Sequence, residues 1–353
     1  MRRLFIQDSE SPRTIPNLLM VIVGIFVCVV ILDRVSGRVL PHLTIEPPFI
    51  LRFQNVQGVE RLWSFEDDGV QPIVFIGSSQ LHMGISPHTF NDRIKALTGK
   101  DVKSVDISLW GGMISTEHEL IQNLVMPSQP QVMIYGVEMQ ALMPRLQNGV
   151  SVEDFRNKPL GYAVSSQSAL ERNVLLWLLR NSNLFRYRDN VREWLTGIRQ
   201  VNQLGYPPNM VDDLGHFIDP SIYDRDPATI IQGFTQFTVT DDTRRLMVSV
   251  GDNCRQNKVQ CILLNMPLNE MSYQYITPSD EKIYADLLHE AGLPIWDFNT
   301  KACREMLGDS SFYNLNHLNA GGAELLSPLV ADVYANVFYN MPLSGNAKCA
   351  ELR

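Results

Sequence analysis

The chain has no surplus of basic residues: 30 lysines and arginines stand against 38 aspartates and glutamates, giving a net charge of −8. Without a basic surface to neutralise phosphates, nucleic acid is not an expected partner. None of the five cysteines forms a Cys-x-x-Cys pair, so the spacing of a zinc site is missing and no metal is expected. No Gly-x-Gly-x-x-Gly follows an apolar run, which takes away the dinucleotide signature; no cofactor is expected. There is no repeat and no low-complexity tract. What remains is a globular composition, 45% hydrophobic and 19% charged, in 353 residues, enough for one large domain or two ordinary ones.

Long apolar runs are scarce too. The longest, residues 18–32, reads Leu-Leu-Met-Val-Ile-Val-Gly-Ile-Phe-Val-Cys-Val-Val-Ile-Leu. Ile15 and Pro16 extend it and Asp33 closes it. The run nears spanning length and is apolar on every face, unlike a surface helix. A cleaved signal peptide and a core helix are the competing readings. Asp33-Arg34-Val35-Ser36-Gly37-Arg38 offers no small-x-small cleavage site, so an uncleaved transmembrane anchor over 15–33 is expected. Arg2, Arg3 and Arg13 precede the run, and Arg34 and Arg38 follow it. That small bias puts residues 1–14 in the cytoplasm and the large remainder in the periplasm or outside the cell. Cys254, Cys261, Cys303 and Cys349 are free to pair there, or to stay reduced and buried.

Residues 34–70 read as a stalk and lead-in, broken by Pro41, Pro47 and Pro48, with 49–53 a possible short strand. A regular rhythm then begins. Residues 72–77 form a buried strand, 86–97 a helix, 103–109 a strand running into Gly111-Gly112, 113–125 a helix and 131–137 a third strand. Alternation at this spacing predicts right-handed βαβ units and a parallel sheet. Residues 142–240 break the rhythm and read as a helical insertion. The run Val174–Leu179 is expected in the core. The aromatic and basic residues Phe185, Arg186, Tyr187, Arg188 and Trp194 suit either a solvated face or a grip on a sugar or acyl donor. The rhythm resumes with helix 242–257, strand 261–267, helix 279–291 with a loose capping pattern at Ser279, strand 294–298 and helix 319–340. Residues 341–353 read as a loose tail. The βα-repeating domain thus covers 71–340.

Ser78 and Ser79 lie where the first strand turns into a helix, the edge at which open α/β sheets do chemistry. By themselves they fit a permissive, capped turn as well as a nucleophile. Two distant features add to them. A glycine turn ends the second strand, where free N–H groups suit an oxyanion, and His317 precedes the last helix. Loops after successive strands converge on one edge, so a serine, a glycine N–H and a histidine can meet there. The other histidines read blandly: His82 points away from Ser79, His88, His118 and His289 lie on helix surfaces, and His42 and His216 lie in loops.

With these residues in this order, the chain resembles the SGNH hydrolase superfamily, the GDSL-type esterases, over roughly residues 72–338 without the insertion. Gly77-Ser78-Ser79 stands at the Gly-Asp-Ser block. Asp106-Ile107-Ser108-Leu109-Trp110-Gly111 stands at the glycine block. Gln140 is nearest the asparagine block, and Asn314-Leu315-Asn316-His317 stands at Asp-x-x-His. The resemblance implies a three-layer, flavodoxin-like α/β fold with a parallel sheet of about five strands. It implies Ser79 as nucleophile, His317 as base, and Ser79, Gly111 and Gln140 around the oxyanion. Asn314 departs from it, because an acid is expected there. Three readings stand open: Asn314 Oδ1 or a backbone carbonyl holds the histidine in a Ser-His dyad; Asp309 or Asp297 replaces the acid; or the site is weak or dead.

The resemblance further implies an esterase or O-acyltransferase acting on small acyl groups of a cell-wall or exported polysaccharide. Its partners would be an acylated saccharide or other small ester, the membrane, and a membrane-bound O-acyltransferase. The rival is a domain without catalysis that binds glycan or a partner in an acylation complex.

Overall fold

The computed structural model describes residues 14–43, 55–142, 155–188, 211–218, 237–314 and 316–353. The expected strand at 49–53, Trp194 and the loop at 205–208 lie outside the described residues. In chain order the elements are α1 (Thr14–Leu43), α2 (Val56–Asp67), β1 (Ile73–Gly77), α3 (Ser79–Gly84), α4 (Pro87–Thr98), β2 (Ser104–Asp106), α5 (Ile114–Leu120), β3 (Val132–Val137), α6 (Pro159–Ser165) and α7 (Ala169–Asn181). After the insertion come α8 (Asp241–Asn257), β4 (Gln260–Asn265), α9 (Pro278–Glu290), β5 (Ile295–Asp297), α10 (Lys301–Leu307), α11 (Ala320–Tyr339) and β6 (Glu351–Leu352).

The strands form one mixed, mostly parallel sheet in the order β2-β1-β3-β4-β5-β6. The first five run parallel, and β6 pairs antiparallel with β5. Strands covered on both faces must be apolar throughout, and every residue of β1 and β3 is buried. The chain winds outward from β1 to β2, then returns to place β3 on the other side of β1. That reversal opens a crevice at the C-terminal ends of β1 and β3.

Two glycines let the chain close up at this crevice. Gly77 of β1 pairs with Gly136 of β3. A Cβ on Gly77 would lie 2.6 Å from the Gly136 carbonyl oxygen, and one on Gly136 would lie 2.8 Å from Leu81 Cβ. Helix α3 therefore starts directly on the sheet. The core on one face joins Phe75, Ile134 and Trp296 of the sheet to Phe90 and Ile94 of α4 and Val330 and Tyr334 of α11. Each such side chain contributes about 1.5–3 kcal/mol by leaving water. Arg93 grips the buried Asp332 with two bonds, at 2.6 and 3.1 Å, which fixes α4 against α11.

Several boundaries differ from the expected ones. Part of the lead-in is a globular element: α2 buries Val59, Leu62, Trp63 and Phe65 and packs by β2. The tail is ordered: β6 extends the sheet to six strands, and Cys303–Cys349 ties it to α10. A second bridge, Cys254–Cys261, joins the end of α8 to β4. Helix α9 begins earlier than expected, because Thr277 and Asp280 form the capping box and Ser279 does not. His118 is no surface residue; its Nε2 lies 2.8 Å from Ser249 Oγ, and burial lowers its pKa.

By contacts the chain divides into two compact units, Met1–Ile45 with Leu178–Arg199, and Glu46–Trp177 with Gln200–Arg353. In the first, the helix runs on past Asp33 to Leu43, and Leu19–Gly37 has the length and composition of a membrane span or a signal sequence. Asp33 accepts hydrogen bonds from Ser182 Oγ at 2.7 Å and Leu184 N at 2.9 Å. Arg186 donates to the carbonyls of Leu179 and Arg180, so it caps α7. Of the apolar run Val174–Leu179, Leu179 is buried, whereas Trp177 is 61% exposed. The run is therefore no core segment. The second unit carries the sheet and the site.

Candidate active site

Ser78 is the N-cap of α3, its extended backbone turning the chain out of β1 while its hydroxyl accepts from Gln80 N at 3.3 Å. Ser79 is the first helical residue. The opposite wall is the turn before α11. There a bridge between Phe312 and Leu318 and a bond from Tyr313 N to His317 O at 2.8 Å close a short loop. Asn319 caps α11 by accepting from Gly322 N at 2.9 Å. This loop presents His317 so that its Nε2 lies 2.7 Å from Ser79 Oγ.

Asn314 fixes the tautomer. Its Oδ1 accepts from the backbone N–H groups of Asn316 at 3.0 Å and His317 at 2.9 Å. Two N–H donors demand an acceptor, so this atom is the oxygen of the amide and not its nitrogen. The same oxygen lies 3.0 Å from His317 Nδ1, which must then carry the proton. Nε2 is left with a lone pair toward Ser79. An aspartate would set the same tautomer and add a negative charge; Asn314 sets it without the charge. The expected substitute acids are engaged elsewhere. Asp309 accepts from Asn269 Nδ2, and Asp297 accepts from Asn265 Nδ2 and pairs with Arg353.

The glycine turn lies on the other flank of the serine. Leu109 N donates to Gly77 O at 2.9 Å, which brings residues 110–112 alongside Ser79. Gly111 has φ +68, in the left-handed region that suits glycine. Trp110 stacks on His317, with ring centroids 6.0 Å apart and planes 10° apart. The Gln140 side chain lies outside the described residues.

A buried polar knot supports this turn. Asp106 Oδ1 accepts from Ser108 N at 2.7 Å, and its Oδ2 lies 3.2 Å from His82 Nδ1. Asn55 Nδ2 donates to the carbonyls of Asp106 at 2.9 Å, Gly215 at 3.1 Å and Ser108 at 3.2 Å. Here His82 points away from Ser79, toward Phe217, whose ring stacks on it at 5.7 Å and meets Trp110 at 5.1 Å. The knot was not foreseeable from spacing, because Asn55 and Asp106 are far apart in the chain and nothing in the sequence links them.

Glu138 and Glu117 complete the surroundings. Both carboxyl groups are buried, Glu138 just past β3 and Glu117 on α5. Burial pushes Glu117 up to about 8, opposed by a 2.6 Å bond from Tyr135 and helped by the charge of Glu138. Burial pushes Glu138 up to about 7, opposed by a bond from the Ser78 side chain. A polar residue just past an apolar strand was a visible signal for Glu138, but nothing in the sequence set it apart from other edge carboxylates.

No family model matches the chain, and no curated protein matches it. Among solved structures, the lipase/acylhydrolase from Enterococcus faecalis aligns at a TM-score of 0.36 and 12% identity, over 78% of this chain and 99% of that one. A likeness that distant defines neither a family nor a reaction. The class rests on the chain's own architecture: an α/β sheet with serine, histidine and asparagine side chains meeting at its C-terminal edge.

Proposed function

We propose that the chain is a serine esterase or O-acyltransferase that cleaves or transfers small acyl groups. One observation carries this reading: Ser79 Oγ lies 2.7 Å from a His317 Nε2 whose lone pair is set toward it by Asn314. In the proposed reaction Ser79 Oγ attacks an ester carbonyl as His317 Nε2 takes its proton. The N–H groups of Ser79 and Gly111 hold the oxyanion. His317 then protonates the leaving alcohol, and water or a sugar hydroxyl takes the acyl group from Ser79 with the same histidine as base. The imidazolium is met by the Asn314 dipole and the face of Trp110 rather than by a carboxylate.

The substrate class we propose is the acyl groups of a cell-wall or exported polysaccharide, handled outside the cytoplasm with α1 as anchor and a membrane-bound O-acyltransferase as partner. Support comes from the apolar helix and from the two disulfides, which persist in oxidising compartments. Hydrolysis of p-nitrophenyl acetate tests the chemistry: Ser79→Ala and His317→Ala each lose it, and undiminished turnover in either rules the assignment out. Protease treatment of intact cells tests the placement, with digestion of the domain expected only from the outer side.

A further inference from the structure

Glu138 has no part in the reaction just described, yet it neighbours the nucleophile. Gly77 and Gly136 are paired on adjacent strands; Ser79, at the start of α3, and Glu138, just past β3, each lie two residues beyond that pair. The Ser78 side chain, next to the nucleophile, is bonded to the Glu138 carboxyl. The second carboxyl oxygen of Glu138, Oε2, is buried and meets no hydrogen-bond partner among the described residues; the same holds for Oε1 of Glu117. The titratable groups facing Glu138 are Glu117 on α5, Tyr135 on β3 and Tyr284 on α9. All three are acids, so none of them offers a cation to pair with a carboxylate. Ser79 itself lies against His317.

A buried carboxylate with one bare oxygen and acidic neighbours costs far more than the neutral acid in the same place. We propose that Glu138 is a positioning residue that works as a neutral acid, holding the Ser78–Ser79 turn, and that losing its proton shuts the site down. The inference rests on the serine reading above. Ionised, Glu138 would place a negative charge next to the carbonyl that itself turns negative on attack. Its proton is lost at about pH 7, so the shutdown falls within the ordinary range. Activity should then fall as rising pH ionises Glu138.

The test is the rate of Ser79 labelling by a fluorophosphonate between pH 5 and 9 in the full chain, with infrared titration of the carboxyl groups alongside. The natural chain should label more slowly above pH 7. Glu138→Gln keeps a neutral side chain at Ser78, so its rate should not fall, and it should label about tenfold faster at pH 8. A carboxylic C=O band that titrates near pH 7 in the natural chain should be missing in Glu138→Gln. Ser78→Ala removes the bond that favours ionisation, so labelling should slow below pH 7, where Glu138 is neutral in both chains, and the falling limb should shift upward. Equal profiles for the natural chain and Glu138→Gln, or an unchanged infrared spectrum, overturn the role of Glu138 alone. No label on Ser79 in any chain at any pH overturns the serine reading and this proposal with it.

Discussion

Asn314 Oδ1 accepts from His317 Nδ1 at 3.0 Å while two backbone N–H groups hold the amide in place. This relationship separates two jobs that an aspartate performs together: choosing the tautomer and stabilising the imidazolium. In serine proteases an asparagine behind the histidine costs about 10⁴ in turnover because it imposes the wrong tautomer. Here the backbone forbids that outcome. Asn314→Asp should therefore supply only the missing charge and raise kcat by about 10–100-fold, since the charge meets imidazolium in a sheltered site. Asn314→Ala, which removes the hold on the ring, should lower kcat by roughly 10³-fold. Ester turnover of the three chains at one pH decides this, and a fall in Asn314→Asp would refute it.

The knot behind the glycine turn predicts a stability defect rather than a kinetic one. A Cβ on Gly58 would lie 1.9 Å from Asp106 O, a backbone atom that Asn55 holds in place. Gly58→Ala should cost more than about 2 kcal/mol, by overpacking against an element that cannot yield. Urea denaturation measures it. A cost below about 0.5 kcal/mol would show that the knot is loose.

Glu117 makes folding depend on pH. Its carboxyl ionises at about 4.3 in an unfolded chain, but burial holds its proton to about 8 in the folded one. The folded state thus binds more protons between those values, and stability falls as pH rises through that window. Glu117→Gln keeps an acceptor for Tyr135 and removes the titration. Its melting temperature should change less between pH 5 and 8 than that of the natural chain. Parallel melting curves for the two chains across the window would contradict the assignment.

The bridge Cys303–Cys349 closes a separation of 46 residues and anchors the segment that leads to β6. Cys349→Ser should lower stability by about 2–4 kcal/mol, and a reductant should lower the natural chain by more than the variant, which has only Cys254–Cys261 left to lose. Urea midpoints with and without reductant check both statements.

How far the sequence revealed this molecule depended on the kind of signal. The parallel strands were legible because burial on both faces forces short, unbroken apolar runs such as Ile73–Ile76 and Met133–Tyr135. Ser79, Gly111 and His317 were legible through their places at strand and helix ends, where a doubly wound sheet must bring loops together. Their meeting at one edge is what the fold supplies. Residues whose meaning lies in a long-range contact were not legible. Asn55 looks like any loop asparagine until Asp106, Ser108 and Gly215 turn their carbonyls toward it. Glu138 reads as an exposed edge residue until Ser78 and the floor of the crevice enclose it. Strand β6 was invisible because two residues carry no periodicity; its order comes from a disulfide and an edge strand far earlier in the chain.

The central claim is that His317 activates Ser79. It is tested most directly by fluorophosphonate labelling followed by mass spectrometry of the peptide that carries Ser79. The account predicts one label, on Ser79, lost in Ser79→Ala and slowed at least about 100-fold in His317→Ala. A label placed on any other residue, or labelling of Ser79 at the same rate without His317, would contradict it.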